Sequence, residues 1–177
     1  MATNLEFIKS VSSSASVTSV DITNCFSDNY DVYKLVLADL DIAGAGDENI
    51  AVRFLDSGGS VISASEYDYA TYFMYSYASY SDAQRATGQT SLVYGMGYSS
   101  DRNDGSLGSF INIFNPYDSS SYTFTTQQST TVTSSSVYAI SNKGIGVHKS
   151  AEQLSGVRIF VDSGTIERLG ASIYGVK

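Results

Sequence analysis

The 177-residue sequence is poor in the residues that build covalent or metal-bound frameworks. It contains one cysteine, Cys25, one histidine, His148, one proline and no tryptophan. A single cysteine excludes a disulfide within the chain, and one cysteine with one histidine excludes zinc sites that use several such ligands. We therefore expect no metal site and no cofactor. We also expect Cys25 to be a small buried side chain rather than a reactive thiol.

Positive charge and long apolar runs are also scarce. The chain carries 18 acidic against 10 basic residues, a net charge of −8, and its isoelectric point is near 4.4. Nucleic-acid-binding proteins normally present a basic stripe, whereas the lysines and arginines here are scattered, so no nucleic acid is expected as a partner. No stretch approaches the roughly 20 apolar residues of a membrane-spanning helix, and the first ten residues lack the pattern of a secretory signal. We expect no membrane insertion.

The abundant residues favour strands and turns. Serine, threonine, tyrosine and valine recur throughout, and 15 glycines are spread among them. Apolar residues alternate within 50–55, 110–114 and 157–161, and a turn-forming segment follows each run. The pattern predicts three hairpins in one domain over residues 1–177, an all-β antiparallel β-sandwich that is jelly-roll-like. Its predicted core includes Leu35, Leu37, Val52, Phe54, Ile111, Ile113, Val157, Ile159 and Ile173.

Three other segments carry weaker patterns. Residues 33–38 are almost continuously apolar, which predicts a strand that is covered on both faces. The serine- and threonine-rich segments 10–19 and 129–136 keep loosely alternating valines, which favour polar edge strands or loops over flexible linkers.

The sequence offers little catalytic chemistry. A Ser-His-Asp triad can form only around His148, and no Gly-x-Ser-x-Gly motif occurs, so we interpret His148 as a hydrogen-bonded or solvent-exposed loop residue. Acidic clusters at 39–48 and 101–104 flank glycine-rich turns, where aspartate commonly satisfies backbone groups. A glycosidase needs only two carboxylates at a suitable distance, which a sequence does not measure. Segment 101–105 differs from an EF-hand calcium loop because its fifth position is glycine. We predict no catalytic residues and a protein that is not an enzyme.

The most unusual segment is 67–80, where six of fourteen residues are tyrosine. Tyrosine joins a large rigid apolar ring to a polar tip, which suits recognition surfaces as well as half-buried strands. We predict that Tyr75, Tyr77 and Tyr80 contribute to a contact surface for a sugar or a neighbouring subunit. Alternation places Tyr75 and Tyr77 on one face of a strand, about 7 Å apart. A place in the core remains the alternative for these three residues.

Several segments resemble a family of virion proteins of tailed bacteriophages, including phages of cyanobacteria. The resemblance rests on residues 54–62 (FLDSGGSVI), 66–70 (EYDYA) and 108–116 (GSFINIFNP), and on the ending 170–177 (GASIYGVK). In that family the chain typically closes with an S-G-N-I run and an L-Y-G-I-K strand, whose places are taken here by 163–166 and 173–177. The similarity extends from about Val32 onwards. It departs from the family at 167–169, which resembles an insertion, and in the tyrosine-rich middle.

The resemblance implies a jelly-roll-like structural component of the virion, with no catalytic residues to carry over. We therefore predict localisation in the virion, contacts with other virion proteins and association as a homotrimer. The protein would decorate the capsid or belong to the tail or a tail fibre. The alternative is a carbohydrate-binding module that recognises a host surface glycan through stacked aromatic rings. A polysaccharide-degrading enzyme ranks below both.

Overall fold

The computed structural model describes residues 4–43, 48–77, 81–99, 106–132 and 138–177. These residues form strands joined by turns and loops, and none of their elements is a helix that is long and apolar enough to cross a membrane. The strands are β1 (Leu5–Ser13), β2 (Ser19–Ile22), β3 (Val32–Ala43), β4 (Glu48–Asp56), β5 (Tyr67–Tyr75), β6 (Ser81–Gln89), β7 (Leu92–Ser99), β8 (Leu107–Phe114), β9 (Thr123–Val132), β10 (Ala139–His148), β11 (Leu154–Val161) and β12 (Thr165–Val176).

Two antiparallel sheets pack face to face, which confirms the predicted β-sandwich. The large sheet has eight strands in the order β1-β12-β3-β8-β9-β10-β5-β6, and the small sheet has four in the order β2-β11-β4-β7. Early strands pair with late ones, as β1 does with β12, β2 with β11 and β5 with β10. These pairings bring segments that are far apart in the sequence side by side.

The predicted core is confirmed. All nine residues named from the alternating pattern are at most 2% exposed, and each lies between the two sheets. Tyr33 and Tyr67, which are also fully buried, add two aromatic rings to this core. Burying one such side chain stabilises a domain by about 1.5–3 kcal/mol, so this interior is the main source of stability.

The three predicted hairpins have different outcomes. The second is confirmed, because β8 and β9 pair in continuous register from Gly108 with Thr130 to Phe114 with Phe124. The first is shorter than predicted, because after the turn only Val61 bridges back to β4. The third prediction is wrong, because β11 belongs to the small sheet and β12 to the large one. The turn at 162–164 therefore carries the chain from one sheet to the other.

The predictions for the weaker patterns were partly wrong. Strand β3 is central, but its residues alternate between buried and half-exposed, so only one face is fully covered. Segment 10–19 includes the end of the edge strand β1, as predicted, whereas Ser129 lies in the central strand β9. Cys25 is buried, as expected, and burial raises the pKa of its thiol to about 12.

The polarity of β9 is opposite to that of an ordinary core strand. Its buried face is entirely polar and consists of Thr123, Thr125, Gln127, Ser129 and Thr131. Strand β7 of the small sheet covers this polar face at close range: the Gln127 amide donates to the Tyr94 carbonyl at 3.0 Å. Because the inner face of β9 is polar, its apolar Phe124 lies on the opposite face, which the small sheet does not cover.

A hydrogen-bonded network joins several residues of the polar layer beneath β7. The Ser129 hydroxyl donates to the Asn142 side-chain carbonyl, and the Asn142 amide donates to Thr71 Oγ1 at 3.1 Å. The Thr71 hydroxyl in turn donates to the backbone carbonyl of Lys143. Gly97 fits against this layer, because a Cβ atom there would lie 2.5 Å from Ser129 Cβ. The network pairs Ser129, Asn142 and Thr71, which makes their burial favourable, whereas the buried Thr125 hydroxyl has no hydrogen-bond partner among the described residues.

Candidate functional site

Among the residues that the structure describes, six large apolar side chains are exposed on the outer face of the eight-stranded sheet, which is the face turned away from the small sheet. They alternate along their strands with residues that point inward, so the strand register places them on one side. They are Leu5, Phe7, Tyr72, Met74, Phe124 and Ile145, each 45 to 60% exposed. Scattered exposed apolar residues are ordinary, but several on one sheet face indicate an interaction surface.

Seven residues that pair across this face form a continuous row from β1 to β5. In spatial order they are Leu5, Val176, Val32, Phe114, Phe124, Val147 and Asp68. Neighbouring strands lie about 4.8 Å apart, so the row is about 29 Å long. All of its members except Asp68 are apolar, and we call this row the apolar strip.

A shallow groove of about 750 Å³ adjoins one end of the apolar strip. Ala70 and Ile145 form its floor, Phe124 and Val147 belong to both groove and strip, and Arg85 of β6 borders it. Ile145 is the most exposed of the large apolar residues at 60%. The groove offers an apolar surface that another protein can fill.

Three basic side chains lie among these apolar residues. Lys34 stands over the Phe110 ring with its Nζ 4.6 Å from the ring centroid, while Arg85 and Lys143 make no ion pair within the described residues. Setting these three residues and the outer-face Asp68 aside leaves 7 basic against 17 acidic residues, a net charge of −10, in the rest of the chain. The outer face is therefore locally basic in a protein that is otherwise strongly acidic.

Asp68 is the acidic member of the apolar strip, and its charge is matched. Its Oδ1 accepts hydrogen bonds from Lys149 Nζ at 2.8 Å and from the backbone N–H of Gly88 at 2.7 Å. These two bonds, with the lysine contributing most, lower the pKa of Asp68 below its ordinary value. Asp68 therefore stays ionised and paired at the rim of the groove.

Two of the three tyrosines predicted to form a contact surface lie at the far end of β5. Tyr75 is half-buried and Tyr77 is 50% exposed, with ring centroids 5.6 Å apart, while Tyr80 lies outside the described residues. Tyr138 extends the group, because its ring centroid is 4.6 Å from that of Tyr77. The structure thus brings Tyr75 and Tyr77 together, although Tyr77 lies beyond the last residue of the strand.

His148 is neither solvated nor in a loop, so that part of the prediction was wrong. It is the last residue of β10, and its side chain is 0% exposed. Its ring packs against those of Tyr67 and Phe54, with ring centroids 4.9 and 5.9 Å apart. The predicted hydrogen bond is present, because Nε2 lies 3.2 Å from Glu66 Oε2. The described residues bring no hydroxyl or thiol within hydrogen-bonding distance of the ring.

The first acidic cluster forms ion pairs. Asp39 and Asp41 both face Arg168, with N···O distances of 2.7 and 3.5 Å, and Ser106 completes the cluster by donating to Asp39 at 3.0 Å. Asp47, Asp101 and Asp104 lie outside the described residues.

The sequence reading missed the apolar strip, although one signal for it was present. In β9 the polar set at odd positions is uninterrupted, so Phe124 had to occupy the opposite face. The predicted hairpin placed Phe124 correctly in a strand but did not say which face would be covered. A scan of the sequence against protein-family models matches no family, and a comparison with curated proteins gives no match.

Proposed function

We propose that the protein is a non-enzymatic structural component of a tailed-phage virion, which assembles through the outer face of its large sheet. The observation that carries the proposal is the apolar strip, a row across seven strands in which six of the seven residues are apolar and exposed or half-exposed. The sequence resemblance to virion proteins supplies the particle as its setting. Within the particle it would decorate the capsid or belong to the tail or a tail fibre.

The occupant that we propose for this face is another copy of the same chain. Each copy is acidic outside the outer face, whereas Lys34, Arg85 and Lys143 make that face locally basic. In a closed trimer each contact joins two different surfaces, so this basic face can meet an acidic surface of the next copy, and burial of Phe124 and Ile145 adds to the attraction. A closed homotrimer is the form that we propose, because oligomers favour closed symmetry and virions are rich in threefold positions.

The test is the substitution Ile145→Lys at the floor of the groove. Ile145 is largely exposed, so the folded monomer should tolerate the change within about 0.5 kcal/mol. If the face is buried between copies, an unpaired ammonium there should weaken association about 100-fold or more, about 2.7 kcal/mol. Light scattering across a range of protein concentrations measures the mass and the association constant.

Ser57→Lys is the matched control, because it adds the same charge at an exposed turn at the end of the small sheet. It should leave association unchanged. A wild-type chain that stays monomeric at high concentration, or one whose association Ile145→Lys does not alter, would contradict the proposed interface. Mass spectrometry of purified particles tests the virion setting separately, and absence of the protein from them would refute that part.

A carbohydrate-binding module is the second candidate, and the adjacent rings of Tyr75, Tyr77 and Tyr138 favour it. Aromatic rings at this spacing can stack on the apolar faces of sugar rings. The double substitution of Tyr75 and Tyr77 by Ser should then weaken glycan binding or host adsorption by more than tenfold, about 1.4 kcal/mol. The melting temperature should change little.

Glycan-array binding or adsorption of particles to host cells measures this effect. Tyr122→Ser is the control, because that tyrosine is 45% exposed and belongs to the turn before β9. A large fall in melting temperature with unaltered binding would instead assign Tyr75 and Tyr77 to the core.

A further inference from the structure

Three potential metal ligands converge at one end of the sandwich. Glu66 precedes β5, His148 ends β10, and Glu152 lies in the loop before β11. His148 Nε2 is 3.2 Å from Glu66 Oε2 and 3.8 Å from Glu152 Oε1, and the three ligand atoms all lie within 4.8 Å of one another. The histidine is fully buried, whereas the two carboxylates are about one third exposed, so an ion can reach them from solvent.

The surrounding structure holds the histidine in place. Register pairing sets His148 opposite Tyr67, and the Lys149 N–H donates to the Glu66 carbonyl at 2.8 Å, which joins the two strand ends. The rings of Tyr67 and Phe54 enclose the imidazole. Tyr67 is itself fixed, because its hydroxyl accepts from the Phe54 N–H and donates to the Ile62 carbonyl. A ligand held in this way loses little freedom on binding a metal.

Two carboxylates directed at one imidazole nitrogen exceed what a neutral histidine can satisfy. A neutral ring offers one hydrogen at Nε2, which can serve Glu66 or Glu152 but not both well. Within the described residues, neither carboxylate forms an ion pair with a lysine or arginine, and the adjacent Lys149 is paired with Asp68. A cation between the three atoms would balance both negative charges.

The distances fit a transition-metal ion. With metal–ligand bonds of about 2.1 Å, two ligands at tetrahedral to octahedral angles lie about 3.0–3.4 Å apart. The distance from His148 Nε2 to Glu66 lies within that range. Glu152 must move about 0.4 Å closer to His148 and up to about 1.4 Å closer to Glu66, which its exposed side chain allows. One imidazole nitrogen with two carboxylate oxygens suits Zn²⁺, which binds such ligands more tightly than most divalent ions do.

We propose that Glu66, His148 and Glu152 form a Zn²⁺ site, with water completing the coordination. Its position ties the start of β5 to the end of β10 and to the loop that leads into the small sheet. The bound ion therefore crosslinks three segments that are far apart in sequence, which would stabilise this end of the sandwich. This role differs from the proposed assembly function and does not depend on it.

The experiment uses the full untagged chain, treated with a chelator and then titrated with Zn²⁺ alone in a calorimeter. We expect one ion per chain and a higher melting temperature when Zn²⁺ is present. Glu66→Gln and Glu152→Gln preserve side-chain shape, and each should weaken binding at least about tenfold. Glu167→Gln is the control, because it makes the same change at a carboxylate whose hydrogen bonds come from Ser16 and Thr165 instead of His148, and it should leave binding unchanged.

His148 gives a direct spectroscopic readout because it is the only histidine in the chain. Its imidazole nitrogen signals in a ¹⁵N magnetic resonance spectrum should shift on addition of one equivalent of Zn²⁺. Absence of binding would overturn the proposal. So would binding that persists in the Glu66→Gln, Glu152→Gln double variant, or binding that leaves the His148 signals in place.

Discussion

Two phenylalanines provide a stringent test of the fold, because one lies between the two sheets and the other on the outer face of the large sheet. Phe54 is 0% exposed and packs against Tyr67 and His148, with ring centroids 6.2 and 5.9 Å apart. Phe124 is 46% exposed on the outer face of the large sheet. The substitutions Phe54→Ala and Phe124→Ala remove the same atoms from these two environments.

The expected costs differ severalfold. Truncation of a fully buried phenylalanine loses its burial and leaves a cavity, which destabilises by about 3–5 kcal/mol. The backbone N–H of Phe54 keeps its bond to the Tyr67 hydroxyl, so the cost of Phe54→Ala is one of packing. Phe124→Ala should cost less than about 1 kcal/mol in the monomer, because nearly half of its surface already contacts water.

Urea unfolding followed by circular dichroism measures both values. With a slope of about 2 kcal/mol per molar urea, Phe54→Ala should lower the midpoint by about 1.5–2.5 M. The measurement belongs at a low protein concentration, where association through the outer face does not contribute. Equal losses from the two substitutions, or a loss near zero for Phe54→Ala, would refute the assignment of the two faces.

Two further predictions concern the polar layer and the cysteine. Gly97→Ala should destabilise by about 2–5 kcal/mol, because the new methyl meets Ser129 and φ is +112°. Gly59→Ala is the control, because φ is +84° there but an added Cβ atom would meet no other atom within 4 Å, so it should destabilise by only about 1 kcal/mol. Equal urea midpoints for the Gly97→Ala and Gly59→Ala variants would contradict the close packing of β7. Burial raises the pKa of the Cys25 thiol to about 12. At pH 8 the native protein should therefore react with a thiol reagent about a thousandfold more slowly than the protein unfolded in urea. Rapid labelling of the native protein would show that Cys25 is accessible.

Local patterns were sufficient for the fold class and for the core. Alternation within 50–55, 110–114 and 157–161 predicted strands, and the residues it assigned to the interior, such as Val52, Ile111 and Ile159, are fully buried. The turn after β8 was equally clear, because the Asn-Pro segment at 115–116 leads into the paired strand β9. These signals depend on neighbouring residues alone, so they could be read without the partner strands.

The candidate sites depend on pairings between residues that are far apart in sequence. A turn at 162–164 looks the same whether the chain returns in one sheet or crosses to the other, and the structure shows that it crosses. The alternation in β9 separates two faces but does not say which of them β7 will cover, so the exposure of Phe124 could not be deduced.

Pairing between distant residues also explains why the surroundings of His148 could not be predicted. His148 and Glu66 are 82 positions apart in the chain, and only the pairing of β10 with β5 brings them to 3.2 Å. By itself, the sequence determined that this chain forms strands in which apolar and polar residues alternate, that the apolar residues form a core, and that the chain carries one histidine and one cysteine. Tertiary structure decided which face of the large sheet stays exposed and which carboxylates meet His148, because both follow from strand pairing over long separations.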